Sequence, residues 1–131
     1  MSESIILQGF RNKEVCSFRR SIVWDIFGPK CTPARFFGYD LTYGDRYGGF
    51  LNLYDDDFIS GIGIQSPSRD AIKDLLAVAQ LVPSAIHLDA LFFVADQAFL
   101  AGIPDWLPPC LPKPIRVVHD ADELIQFLRQ G

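Results

Sequence analysis

The stretch from Ala34 to Gln65 constrains the fold more than any other part of the chain. Aromatic and β-branched residues dominate Ala34 to Tyr43, with Arg35, Phe37, Tyr39, Leu41 and Tyr43 at alternate positions. Alternation at a period of two is the pattern of a strand with one buried face. Tyr47-Gly48-Gly49 reads as a turn, Phe50–Tyr54 as a second strand, and Asp55–Asp57 as a solvated loop. Phe58–Gln65 reads as a third strand, with Phe58, Ile62 and Ile64 inward and Gly61 and Gly63 outward. Three sequential strands with short connections make an antiparallel meander.

The flanking segments predict mostly helix. Ile5–Leu7 is a short apolar run fit for an opening strand. Asn12 is placed to cap a helix over Lys13–Phe27, in which Val15, Phe18, Ile22 and Ile26 recur at helical spacing. Gly28-Pro29 then ends it, glycine taking the left-handed cap position and proline being unable to continue. Ser66 with Pro67 starts the next helix, whose apolar stripe is Ala71, Ile72, Leu75, Leu76 and Ala79, and Pro83 ends it. Ser84–Ala101 is apolar almost throughout and reads either as one buried helix or as a strand around Leu91–Val94 followed by a short helix. Ile103–Pro114 is proline-rich and irregular, and Ile115–Val118 is β-rich. Asp120 then caps a closing helix, with Glu123 completing a capping box. The expected fold is α+β: a small antiparallel meander packed by three to four helices, in a single domain over residues 1–131.

Composition narrows the function classes. With 49% hydrophobic and 21% charged residues the chain is neither a disordered tail nor a coiled coil. Cys16, Cys31 and Cys110 are odd in number and lack a Cys-x-x-Cys pair, which points to free thiols and a cytoplasmic location. No apolar run reaches the length of a membrane span, and the first residues show no secretory signal. Residues 47–112 hold two cations, Arg69 and Lys73, against eight aspartates. Such a field repels nucleic acid and anionic lipid and speeds encounter with a basic partner.

Candidate chemistry is sparse. His87 with Asp89, and His119 with Asp120 and Asp122, put an imidazole near a carboxylate, so either histidine could act as general base. Asp120 and Asp122 are also what a helix N-terminus favours. The Asp55–Asp57 run lacks the alternating ligands, glycine and distant glutamate of a calcium loop. Gly61-Ile-Gly63 lacks a third glycine and a following helix, so these glycines fit close approach of a bulky group better than a phosphate cradle. No catalytic residue, metal ligand or cofactor is expected. On a helical wheel Trp24 falls opposite the core arc, one turn beyond Arg20, the composition of an interface hot spot. Tyr43, Tyr47 and Tyr54 gather with Asp40, Asp45 and Asp55, Asp56 and Asp57 around the expected hairpin. Together with Trp24 these are the candidate partner-binding residues, and they suit a basic protein.

The acidic α+β layout, the strand ending Ile62-Gly-Ile-Gln-Ser-Pro67, and the stretch from Phe93 to Pro108 (FVADQAFLAGIPDWLP) resemble bacterial immunity proteins. Those are cytosolic chains that bind and neutralise a toxin delivered by neighbouring cells. The resemblance implies a stoichiometric, non-catalytic inhibitor with no nucleic-acid or membrane partner. The alternative is a small hydrolase or transferase using His119 or His87.

Overall fold

The computed structural model describes residues 4–33, 38–65, 67–88, 91–103 and 115–130. In chain order they form β1 (Ser4–Arg11), β2 (Glu14–Val15), β3 (Phe18–Arg19), α1 (Arg20–Phe27), β4 (Cys31–Pro33), β5 (Tyr39–Tyr43), β6 (Arg46–Leu53) and β7 (Phe58–Gln65). There follow α2 (Arg69–Leu81), β8 (Ser84–Leu88), β9 (Leu91–Val94), β10 (Arg116–Val117) and α3 (Ala121–Gln130). Short 3₁₀ segments lie at Gly28–Lys30 and Gln97–Gly102. Among the described residues, no helix is long and apolar enough to cross a membrane.

The expected small meander is overturned. All ten strands join one sheet, in the order β10-β9-β8-β1-β7-β6-β5-β4, with β2 beside β1 and β3 beside β7. The β9–β10 pair is parallel and the others are antiparallel, so the sheet is mixed. The meander β5-β6-β7 is present, but it is extended across the expected opening strand β1 to β8, β9 and the β-rich β10, and β2 and β3 come from the segment read as helix.

Two local causes account for the extra strands. Asn12 and Lys13 take φ of 52° and 66°. Positive φ at both positions closes a two-residue hairpin rather than opening a helix, so β1 turns back into β2. Only Arg20–Phe27 of the expected helix forms; it buries Val23 and Phe27 and half-buries Ile22 and Ile26. Ser84–Leu88 is a strand whose first three residues are buried, with Ile86 on one face and Ala85 on the other, so it lacks the apolar–polar alternation of a half-exposed strand. The strand Leu91–Val94 and the short 3₁₀ turn after it match the second of the two expectations for that segment.

The core lies on one face. Leu7, Ile62 and Leu51 stand side by side on β1, β7 and β6, and Ile5 pairs with Ile64 one row away. All five are fully buried, at about 1.5–3 kcal/mol each. Helices α1, α2 and α3 cover this face with Val23 and Phe27, the stripe Ala71, Ile72, Leu75, Leu76 and Ala79, and Ala121 with Leu124. On the opposite face a smaller cluster of Phe10, Ala85, Val94 and Ile103 sits under Phe99, Ile115 and Val117.

Several details of the expected pattern shift by one or two residues. Ile59 rather than Phe58 is buried, because Ser60 is an extra residue between the pairs Asn52–Gly61 and Leu53–Ile59, and a bulge reverses the alternation. The β5–β6 turn is Gly44-Asp45, with Gly44 at φ 70°, whereas Tyr47, Gly48 and Gly49 lie within β6. Ser68, not Ser66, caps α2 by accepting from the Ala71 amide at 3.2 Å; Ser66 itself lies outside the described residues. Gly28 is right-handed helical, and a Cβ there would lie 2.9 Å from Trp24 Cδ1, so it is small for packing rather than for a left-handed cap. At α3, Asp120 Oδ1 accepts from the Glu123 amide at 2.8 Å, and Glu123 Oε1 accepts from the His119 amide at 3.2 Å.

Candidate functional site

Among the described residues no α-helix lies on the face opposite α1, α2 and α3, and beside the Phe10 cluster that face holds a continuous cross-strand row. Register places Phe92 opposite His87, His87 opposite Ile6, Ile6 opposite Gly63, Gly63 opposite Phe50, and Phe50 opposite Asp40. Partners directly across a ladder share a face, and their neighbours Phe93, Ile86, Leu7, Ile62 and Leu51 point into the core. Six strands thus contribute one residue each to this stripe, of which Asp40 alone carries a fixed charge. Phe92, His87, Ile6, Phe50 and Asp40 are each half-buried.

Two packings hold this stripe in place. The His87 and Phe92 rings stack at 5.4 Å between centroids, and burial lowers the His87 pKa, which keeps the imidazole neutral. Phe50 lies across Gly63, where a Cβ would stand 2.6 Å from Phe50 Cε1. Gly63 therefore serves as the socket for an aromatic ring, which is the close approach its outward position suggested.

The expected Tyr–Asp cluster is divided between the two ends of β6, a strand of eight residues that spans about 26 Å. Tyr54 and Asp55–Asp57 form the β6–β7 hairpin tip, and Tyr54 is 73% exposed. Asp55 Oδ1 accepts from the Asp57 and Phe58 amides at 2.8 and 3.0 Å, which orders the tip. Arg20 braces it from α1, its amide donating to the Asp57 carbonyl at 2.8 Å and its guanidinium to the Asp56 carbonyl at 3.3 Å. At the other end, Asp45 lies exposed in the β5–β6 turn. Tyr47, half exposed, pairs with Thr42 beside Asp40, and burial followed by the Asp40 charge raises its pKa.

Two of the expected contact residues are occupied internally. Trp24 is half-buried, its ring edge-on to Tyr39 at 4.9 Å with the Arg20 guanidinium 4.3 Å above it. It borders the cleft that also meets Asp56 and Asp57, yet its indole braces the sheet edge. Tyr43 lies on the helix-covered face and donates from its hydroxyl to Asp74 Oδ2 at 2.7 Å, the same oxygen that receives Lys30 Nζ. Burial first, then this hydrogen bond and the Asp74 charge, raise the Tyr43 pKa. A hydroxyl held protonated in the folded state stabilises fully below the unfolded value of about 10, and that contribution fades as pH climbs above it. Tyr43→Phe should accordingly destabilise by about 1 kcal/mol at neutral pH, and the gap to wild type should narrow above pH 10. Urea unfolding on both sides of that pH measures it; a gap that widens contradicts the assignment.

The remaining candidates for chemistry are placed as follows. His119 Nδ1 lies 3.4 Å from Glu123 Oε1 at the start of α3, whereas His87 on β8 stacks on Phe92. Among the described residues no group of three or more His, Cys, Asp or Glu side chains could hold a metal ion. Cys16 and Cys31 are free thiols; burial pushes Cys31 up to about 11 despite the nearby Arg20, so little thiolate forms at neutral pH. Cys110 and Asp89 lie outside the described residues. Sequence reasoning missed Ile6, Phe50 and Phe92 as surface residues, and the signal that could have found Phe50 is the outward Gly63. Comparison with protein-family models, with curated proteins and with solved structures finds no match for this chain, and its function is argued from this surface alone.

Proposed function

We propose that this protein is a non-catalytic, cytoplasmic binding protein of the immunity type, which occupies and inhibits a basic toxin or effector domain. The observation that carries the reading is the helix-free row Phe92–His87–Ile6–Gly63–Phe50–Asp40. Interface centres are depleted in charge and enriched in aromatics, with a polar rim around them. The row has that centre, and Asp40, Tyr47, Tyr54 and Asp55–Asp57 supply an acidic, tyrosine-bearing rim. Rim carboxylates steer a cationic partner in, whereas desolvated rings slow its release. Trp24, Tyr43 and Asp45 have no part in this surface: the first two are spent on internal packing, and the third sits at the far turn.

The test is capture of the partner from the source cell, then binding kinetics at two salt concentrations. Changing Asp55, Asp56 and Asp57 together to Asn should slow association several-fold, weaken its salt dependence, and leave release nearly unchanged. A captured partner that is acidic, or an association rate indifferent both to salt and to the triple change, refutes the acidic rim. Turnover of a captured small molecule that depends on His87 or His119 refutes the non-catalytic reading.

A further inference from the structure

A cleft of about 690 Å³ opens at the other end of the meander, between the β5–β6 turn and the first two turns of α2. That volume suits a small molecule. Lys30, Tyr43, Arg46, Tyr47, Ser68 and Lys73 line it, together with Asp70 and Asp74.

Charge accounting favours an anion there. On the floor, Asp74 is neutralised by Lys30, and the Tyr43 hydroxyl bonds the same carboxylate oxygen. Lys30 also lies 4.8 Å from the Tyr43 ring centroid, so the floor is filled and locked. Arg46 and Lys73 stand exposed on opposite walls, one on β6 and one on α2. Among the described residues neither has a carboxylate within ion-pair distance. Among the described residues of the lining, Asp70 is the one acid without an ion-pair partner, and their charges sum to a net positive in a chain of net charge −4. Lys73 is, moreover, one of only two cations between residues 47 and 112, and the other, Arg69, is paired with Asp122.

The donors suit a tetrahedral anion in number and chemistry. Ser68 Oγ accepts from the Ala71 amide, which leaves its own hydrogen free to donate outward. A guanidinium, an ammonium and a hydroxyl from two walls satisfy three oxygens, and charge-assisted bonds of this kind are the strong ones. A phosphate alone would fill only a fraction of the cleft, while the half-exposed Tyr47 ring offers a face to an organic substituent. We propose that this cleft binds a small phosphate monoester, its phosphate held by Arg46, Lys73 and Ser68 and its organic body against Tyr47. The site shares Tyr47 with the rim of the sheet face but none of its three anion-holding residues, and it does not depend on the partner reading.

Phenyl phosphate is the probe, titrated into the whole chain at constant ionic strength and followed by amide NMR shifts. Saturable shifts confined to Gly44–Gly48 and Ser68–Lys73 are expected. Arg46→Gln and Lys73→Gln should each weaken binding about tenfold or more, the loss of one charge-assisted bond. Asp70→Asn, which removes the opposing charge, should tighten it. All three positions are exposed, so the variants should keep the wild-type spectrum elsewhere. Inorganic phosphate should bind the same residues more weakly, and benzoate more weakly still. Absence of saturation, indifference to both cation changes, or inorganic phosphate or benzoate binding as tightly as phenyl phosphate would overturn the assignment.

Discussion

Gly49→Ala should unfold the protein or lower its Tm by roughly 10–15 °C, corresponding to about 3 kcal/mol or more. Gly49 lies within β6 at φ 152°, a conformation that L side chains rarely adopt. A Cβ there would overlap the Gly63 carbonyl oxygen and stand 3.0 Å from Ile64 Cα. Both obstacles are backbone of the neighbouring strand, so relief requires parting β6 from β7 in the middle of the sheet. Gly63→Ala is the control. Its Cβ would meet the Phe50 ring, a half-buried side chain that can swing toward solvent. It should therefore cost less than Gly49→Ala while disturbing the helix-free face more. Thermal unfolding of the two variants decides it, and a Gly49→Ala protein as stable as wild type would show that the β6–β7 register is wrong.

That contrast also marks what the sequence could reveal. Phe58–Gln65, the Asp55–Asp57 tip, the α2 stripe and the Asp120 cap were legible, because each is specified by neighbours within a few positions. Asn12 was not: its side chain caps helices and also tolerates left-handed φ, and only the pairing of Phe10 with Val15 decides between them. Ser84–Leu88 was ambiguous for a different reason. A strand buried on both faces loses its alternation, and Ala85 and Ile86 serve two separate clusters. The candidate surface was least legible of all. Ile6, Phe50, His87 and Phe92 come from four strands, and their alignment depends on a register that no local pattern encodes. The Tyr–Asp cluster failed in the opposite way: residues close in sequence were parted because the turn fell at Gly44-Asp45, which put a whole strand between Asp45 and Asp55.

Adjacent residues on β9 should separate stability from binding. Phe93 is fully buried, pairs with Ile86 in the core and packs its ring 5.8 Å from that of Phe127 on α3. Truncation to Ala leaves a ring-sized cavity between the sheet and α3, so Phe93→Ala should cost about 3–5 kcal/mol. Phe92 points the other way, half-buried against the His87 ring. Phe92→Ala removes one exposed stacking contact and opens no cavity, so it should cost about 1 kcal/mol or less. If the helix-free face is the interface, that same change should cost about 2 kcal/mol of binding, mostly as faster release, because a desolvated ring at the interface centre is lost. Urea unfolding reports the first pair of numbers and dissociation of the captured complex reports the second. A Phe92→Ala variant that binds as tightly as wild type would move the interface off this face, whereas a Phe93→Ala variant of near-native stability would show that α3 does not rest on the sheet through this ring.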